Sequence, residues 1–199
     1  NNSISLIATD LEIELSFKIN CDSINEQGET TVSARKIFDL TRSLEDETTL
    51  EFSLKDNQLT VTAKKFNGEF AILPIQDFPV VEIDSFDLET SLSGKLLADL
   101  IDQTSFAMAS QDVRYYLNGI LVEIDGSNVN LVATDGHRLA WASETLDKEL
   151  NESKLILPRK SALELQKLLN LYPGEVDLCF SPNQIMISSE EFRFVSKLI

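Results

Sequence analysis

Two cysteines, one histidine and seven glycines in 199 residues leave little room for several kinds of chemistry. Cys21 and Cys179 lie far apart in strand-like segments, so they make neither a disulfide framework nor a C-x-x-C motif; both read as small thiols of a reducing cytoplasm. The lone histidine, His137, has no nucleophile motif or second ligand beside it, and G-x-S-x-G, H-E-x-x-H and P-loop patterns are missing. The expectation is a protein with no catalytic residue, no metal and no cofactor. No apolar run approaches the roughly 20 residues of a membrane helix, and Asn1-Asn2-Ser3 has neither the charge nor the apolar stretch of a signal peptide. A cytoplasmic protein without a membrane partner is expected. Cations are scarce as well: Lys plus Arg total 17 against 33 Asp plus Glu, a formal charge of −16. Taken alone, that balance argues against nucleic acid as a partner, because phosphates would be repelled.

What the sequence does have is pattern. Hydrophobic content of 43% suits a globular chain, and short alternating runs bounded by turn residues dominate it. Ile4 to Ile19 reads as two strands around Thr9-Asp10, the second alternating Leu11, Ile13, Leu15 and Phe17 against polar Glu12, Glu14, Ser16 and Lys18. Thr30 to Ser33 is expected as a short strand, and Arg35 to Leu44 as a helix with Ile37, Leu40 and Leu44 on one face. Strands at 50–54 and 59–63, joined by Asp56-Asn57, precede another strand ending near Leu73. Pro74 and Pro79 then bracket Ile75 to Phe78, expected as an extended inter-domain connection. Beyond it, Asp87 to Leu92 is strand-like. Ser93 should cap a helix carrying Leu96, Leu97, Leu100, Ile101, Thr104 and Met108. Ile120, Val122 and Ile124 point inward before an Asp125-Gly126 turn, and a hairpin over Val129 to Trp141 turns at Asp135-Gly136. Leu155 to Leu157, a helix from Arg159 to Leu169, and three strands complete the chain.

Leu6-Ile7-Ala8-Thr9-Asp10 is echoed by Leu131-Val132-Ala133-Thr134-Asp135, 125 positions on. Arg35-Lys36 returns as Arg159-Lys160 after 124, and Asn57-Gln58-Leu59 as Asn183-Gln184-Ile185 after 126. Order and spacing persist, so this is a repeat of domain size. Residues 1–79 are expected to form a first domain lacking its opening strand, helix and hairpin. Residues 80–199 would form a second, nearly complete one. The expected class is α+β, with two helices packed on antiparallel sheets in each repeated domain.

Three features carry candidate chemistry. Arg-Lys stands twice at a helix start, where the helix dipole disfavours each cation by roughly 0.3–1 kcal/mol; either both pairs are solvated surface charge, or both helices face a common polyanion, with Arg42 and Lys167 extending the basic faces. Gln111-Asp112-Val113-Arg114-Tyr115-Tyr116 gathers polar, cationic and aromatic groups in one connection. Exposed tyrosines there could stack on bases, with Gln111 and Arg114 available to phosphates. The third is Gly136-His137-Arg138: the first copy keeps Thr9-Asp10 but continues Leu11-Glu12-Ile13, so whatever this addition does belongs to the second domain only.

The strings Q-D-V-R-Y-Y-L-N-G at Gln111 to Gly119, A-T-D-G-H-R-L-A at Ala133 to Ala140 and P-R-K at Pro158 to Lys160 resemble the bacterial sliding clamp family, the beta subunit of DNA polymerase III. The resemblance runs in register through the whole chain. It implies a DNA-clamp fold, a third domain absent from this sequence, and in the full protein a head-to-tail homodimeric ring around double-stranded DNA, gripped without regard to sequence. Arg35, Lys36, Gln111 and Tyr115, with Tyr116, Arg159 and Lys160, would then face DNA. Leu117, Thr134 and Gly136, with His137, Arg138 and Leu139, would form one wall of a pocket for partner peptides of the replicative polymerase, the clamp loader and other clamp-binding proteins. The segment 64–70 would supply a subunit edge strand. The implied role is a non-catalytic processivity factor, and a ring that holds DNA by topology is compatible with a net acidic charge. Two other readings stay in view: an acidic peptide-binding scaffold with no DNA role, and a hydrolase using Asp135 and His137.

Overall fold

The computed structural model describes residues 2–55, 57–79, 81–82, 85–86, 88–147, 149–150 and 152–199. Asp56 of the expected Asp56-Asn57 turn, Asp87 at the expected start of a strand, and Val80 at the expected domain boundary lie outside them. Contacts divide the chain into two compact units. One comprises Asn1–Ser3 and Asn20–Val80, the other Ile4–Ile19 and Val81–Ile199.

The first unit packs helix α1 (Ala34–Ser43) against a three-stranded antiparallel meander, β3 (Glu51–Lys55), β4 (Gln58–Ala63) and β5 (Phe66–Ala71). Its core is small: Leu40 from the helix and Leu59 and Val61 from the central strand, bordered by Ile37, Leu44, Phe66 and Phe70. Two expectations fail here. Thr30 to Ser33 forms no strand, because the Thr31 hydroxyl itself bridges to Leu73, donating to its carbonyl and accepting from its N–H at 2.8 Å each. Ile75–Asp77 is a single 3-10 turn rather than an extended run, closed by Asp77 N–H to Pro74 O at 3.0 Å and Phe78 N–H to Ile75 O at 2.9 Å. Pro74 supplies φ −55° just before the turn, and Pro79 returns Phe78 to extended backbone.

The second unit contains two sheets and two helices. Hairpin β1 (Ser3–Thr9) and β2 (Ile13–Asn20) joins β13 (Phe192–Lys197), β12 (Gln184–Ser188), β11 (Glu175–Phe180) and β6 (Leu88–Ser93), in that order, as a six-stranded sheet. The other sheet runs β10 (Ser153–Pro158), β7 (Gly119–Asp125), β8 (Asn128–Thr134), β9 (Leu139–Thr145), antiparallel throughout. Helices α2 (Gly94–Ser105) and α3 (Arg159–Leu171) pack on each other and bury the expected faces: Leu97, Leu100, Ile101 and Thr104 on one, Ala162, Leu165, Leu168 and Leu169 on the other. Ser93 caps α2 as expected, its Oγ accepting from Leu96 N–H at 3.4 Å. Met108 is buried but lies beyond the helix end. Fully buried Ile120, Val129, Leu131 and Phe194 mark where helices and sheets meet.

The repeat holds down to single hydrogen bonds. After β8, Asp135 Oδ1 accepts from the N–H groups of His137 and Arg138, and Thr134 Oγ1 donates to Arg138 O at 2.7 Å. After β1, Asp10 Oδ1 accepts from Glu12 and Ile13, and Thr9 Oγ1 donates to Ile13 O at 2.7 Å. Gly136 has φ +88°, and its counterpart Leu11 takes φ +77° despite its side chain. Leu11 therefore belongs to the turn, and the alternation of β2 starts at Ile13. Glu14, expected outward, is 4% exposed, held against Arg193 of the neighbouring strand β13 and the backbone at Val81. Arg193 Nη2 meets its carboxylate at 3.0 Å and the Val81 N–H donates to it at 3.4 Å, which supplies the partners that a buried charge requires.

Candidate functional site

The connection from α2 to β7 is built as a closed loop. Asn118 clamps it like a rung: its Oδ1 accepts from Asp112 N–H and its Nδ2 donates to Asp112 O, both at 2.9 Å. Ala109 N–H donates to Leu117 O at 3.0 Å, and Leu117 N–H to Arg114 O at 2.9 Å. Arg114, expected to be free for phosphates, grips Asp112 instead, Nε to Oδ1 at 3.0 Å and Nη2 to Oδ2 at 2.9 Å. That side-chain bond, with a backbone one from Arg114 N–H, takes the Asp112 carboxyl down to about 2, and the Arg114 guanidinium is raised in turn. With those groups occupied, the loop turns outward Val113 at 96% exposure, Tyr115 at 68% and Tyr116 at 51%, the two rings edge to face at 6.0 Å. Gln111 sits at the bend with φ +59°. Gly119 ends the loop where a Cβ would come within 2.5 Å of the Leu157 carbonyl oxygen, so the approach of β7 to β10 excludes any side chain there.

Beside this loop begins α3. Its first N–H, from Arg159, donates to Asn118 O at 2.9 Å, and the Arg159 guanidinium reaches Met108 O at 3.2 Å. A cleft of about 610 Å³ opens there, bringing together Gln111, Arg159 and Lys160 with Asn118, Gln166 and Lys167. Lys167 is 2.9 Å from Glu164. The cation at the helix start is offset locally: Lys160 is hydrogen-bonded to Asp10 and stands 3.7 Å from Glu12, and the Asp10 bond holds its ammonium above the ordinary lysine range. Asp10 is held below the usual carboxylate range: partial burial works against that shift, but the Lys160 bond and the Glu12 and Ile13 N–H groups outweigh it. In the first unit, Arg35 and Lys36 are exposed at the start of α1, with Arg35 3.9 Å from Asp39, and the Arg42 guanidinium lies 5.5 Å over the Phe38 ring.

A second cleft, of about 510 Å³, lies on the other side of Gln111 and Arg159, between Arg114 and the turn that carries Asp135, His137 and Arg138. Arg138 Nε bonds Asp135 Oδ2 at 2.9 Å, and its guanidinium lies 5.7 Å over Phe106. The N–H groups of His137 and Arg138, together with the Arg138 side chain, lower the Asp135 pKa. Thr134 spends its hydroxyl on the turn, Leu117 is 8% exposed beneath the loop, and Leu139 stands 65% exposed on β9. Sequence reasoning did not find Asn118, the Asp112–Arg114 pair or Asp10. An Asp two positions before Arg carries a turn signal, but nothing local announces that a carboxylate 150 residues away meets Lys160.

Models of the DNA polymerase III beta subunit match the chain in two blocks, its N-terminal domain over residues 1–82 and its central domain over 91–199. The chain belongs to the sliding clamp family. The beta sliding clamp of Pseudomonas aeruginosa is 42% identical over 199 residues, covering 98% of this chain and 54% of that protein. That of Vibrio cholerae is 40% identical over 198 residues, covering 100% and 54%. The chain thus spans about half the length of these relatives. Among solved structures, the P. aeruginosa clamp with a ligand superposes at TM-score 0.95 with 41% identity over 100% of this chain and 54% of that one. The Bartonella birtlesii clamp bound to griselimycin does so at 0.91 with 33% identity, over 100% and 55%. The α+β class and the clamp fold drawn from the motif strings are both met.

Proposed function

We propose that this sequence is part of a DNA sliding clamp, a non-catalytic, cytoplasmic processivity factor that in its full-length homodimeric form encircles duplex DNA and recruits the polymerase, the clamp loader and other factors through their peptides. Residues 1–79 belong to its first domain and 80–199 to its second. The observation that carries the reading is the cleft at the start of α3, where Gln111, Arg159 and Lys160 converge, with Tyr115 and Tyr116 exposed on the loop that carries Gln111, in a chain matched by both beta-subunit models. Cations and polar groups on a helix start contact phosphates without reading bases, as a sliding protein requires. Arg35 and Lys36 stand in the first turn of α1. The second cleft and exposed Leu139 supply a peptide wall, with Arg138 over Phe106 as its floor and His137 as a neighbour of the bound segment rather than an acid or base.

The test uses the full-length protein that carries this sequence. Once loaded, it should remain on circular DNA and run off linear DNA; equal retention on both would refute the reading. Charge reversal of Arg35, Lys36, Arg159 and Lys160 to Glu should weaken its binding to duplex DNA and its loading, whereas an acidic scaffold with no DNA role would keep all its activity.

A further inference from the structure

The cations of the α3 cleft are already engaged within the protein. Arg159 bonds the Met108 carbonyl, Lys167 pairs with Glu164, and Lys160 is held by Asp10 with Glu12 at 3.7 Å. The Asp10 contact is the built one. Its Oδ1 is fixed by the N–H groups of Glu12 at 3.0 Å and Ile13 at 2.9 Å, which leaves Oδ2 aimed at Lys160. The matching turn divides its carboxylate in the same way: Asp135 Oδ1 takes two backbone N–H groups and Oδ2 takes a cation, there its own Arg138. In the first copy the residue at the Arg138 position is Ile13, so the free oxygen takes its cation from α3, 150 residues along the chain. Lys160 is 54% exposed and Glu12 70%, so the pair stands in water where a phosphate can compete for the ammonium.

We propose that Asp10 and Glu12 act as built-in competitors of DNA phosphate for Lys160, setting the grip of the α3 cleft below what its cations alone would give. This rests on the clamp reading. A phosphate must displace a positioned carboxylate before it gains Lys160, which weakens each dwell and favours movement along the duplex.

The test is equilibrium binding of the full-length protein to a short linear duplex, followed by fluorescence anisotropy between about 50 and 200 mM salt. Asp10→Asn with Glu12→Gln should free one phosphate contact, raising affinity about threefold at the low end and steepening the log–log salt slope by about 0.9. Asp10→Asn keeps an oxygen for the two turn N–H groups. Glu12→Gln alone, on an exposed side chain, should give part of the gain with the turn untouched. In a Lys160→Ala background the gain should vanish. A gain that persists there would overturn the proposal, because the carboxylates would then act by plain repulsion; so would no gain in a protein whose affinity still falls with Arg159→Ala. Salt-independent binding that is unaffected by Arg159→Ala would overturn the DNA reading itself, and this proposal with it.

Discussion

Replacing Asn118 by Ala removes both rungs of the 106–118 loop at once while leaving its neighbours intact. The two bonds, each 2.9 Å long, tie opposite sides of the loop through one side chain. Each contributes about 0.5–1.5 kcal/mol net, so local opening becomes easier by about 1–3 kcal/mol, or roughly 5- to 150-fold in the opening equilibrium. The remaining closures, Ala109 N–H to Leu117 O and Leu117 N–H to Arg114 O, depend on the same loop staying shut. Amide hydrogen exchange reads this directly: protection at Ala109 and Leu117 should drop by that factor, while amides in the centre of β8, around buried Leu131, keep theirs. Val113→Ala, changing a 96% exposed side chain in the same loop, should leave all of them unchanged. Unchanged exchange at Leu117 in Asn118→Ala would refute the assignment of Asn118 as the clamp. An equal rise at Leu131 would show that the whole unit, rather than the loop, depends on it. A loosened loop should also weaken equilibrium binding to duplex DNA, since Gln111, Tyr115 and Tyr116 ride on it.

Two further outcomes follow from the site. Asp112 titrates at about 2 in the folded chain against an ordinary 3.8, so its contribution to loop stability is present above the ordinary value and is lost as pH falls from there toward 2; a carboxyl resonance of Asp112 moving at the ordinary pH would contradict the pairing with Arg114. Gly136→Ala places a Cβ at φ +88° and 3.2 Å from the Arg114 guanidinium; strain of about 1–2 kcal/mol, partly offset by about 0.4–1 kcal/mol of lost unfolded-state freedom, should lower stability by about 1 kcal/mol in a urea melt.

The helices, the hairpins and the repeat were legible because each depends on local periodicity or on a word repeated at fixed spacing. Ser93 and the faces of α2 and α3 came from such signals. The failures share a different cause. Glu14 looks outward by alternation and is buried against Arg193, 179 residues later in the chain. Arg114 looks free and is taken by a carboxylate that local sequence supplies but does not aim. Thr31 replaces a strand ladder with one hydroxyl, and Lys160 finds its partner in the other copy's turn. Chain neighbours state what a residue prefers. They leave open which distant group reaches it first.

The pairing of β2 with β13 also bears on how the molecule is made. Phe17 lies opposite Phe192 and Ile13 opposite Ser196, so the β13 neighbour of the β1–β2 hairpin leaves the ribosome long after the hairpin itself. Residues 20–80 cluster separately, whereas the six-stranded sheet joins strands from both ends of this sequence. Long-range pairing of that kind slows assembly and leaves the β2 edge exposed to wrong partners in the meantime. The apolar residues along that hairpin are therefore the place to look when the protein aggregates during synthesis.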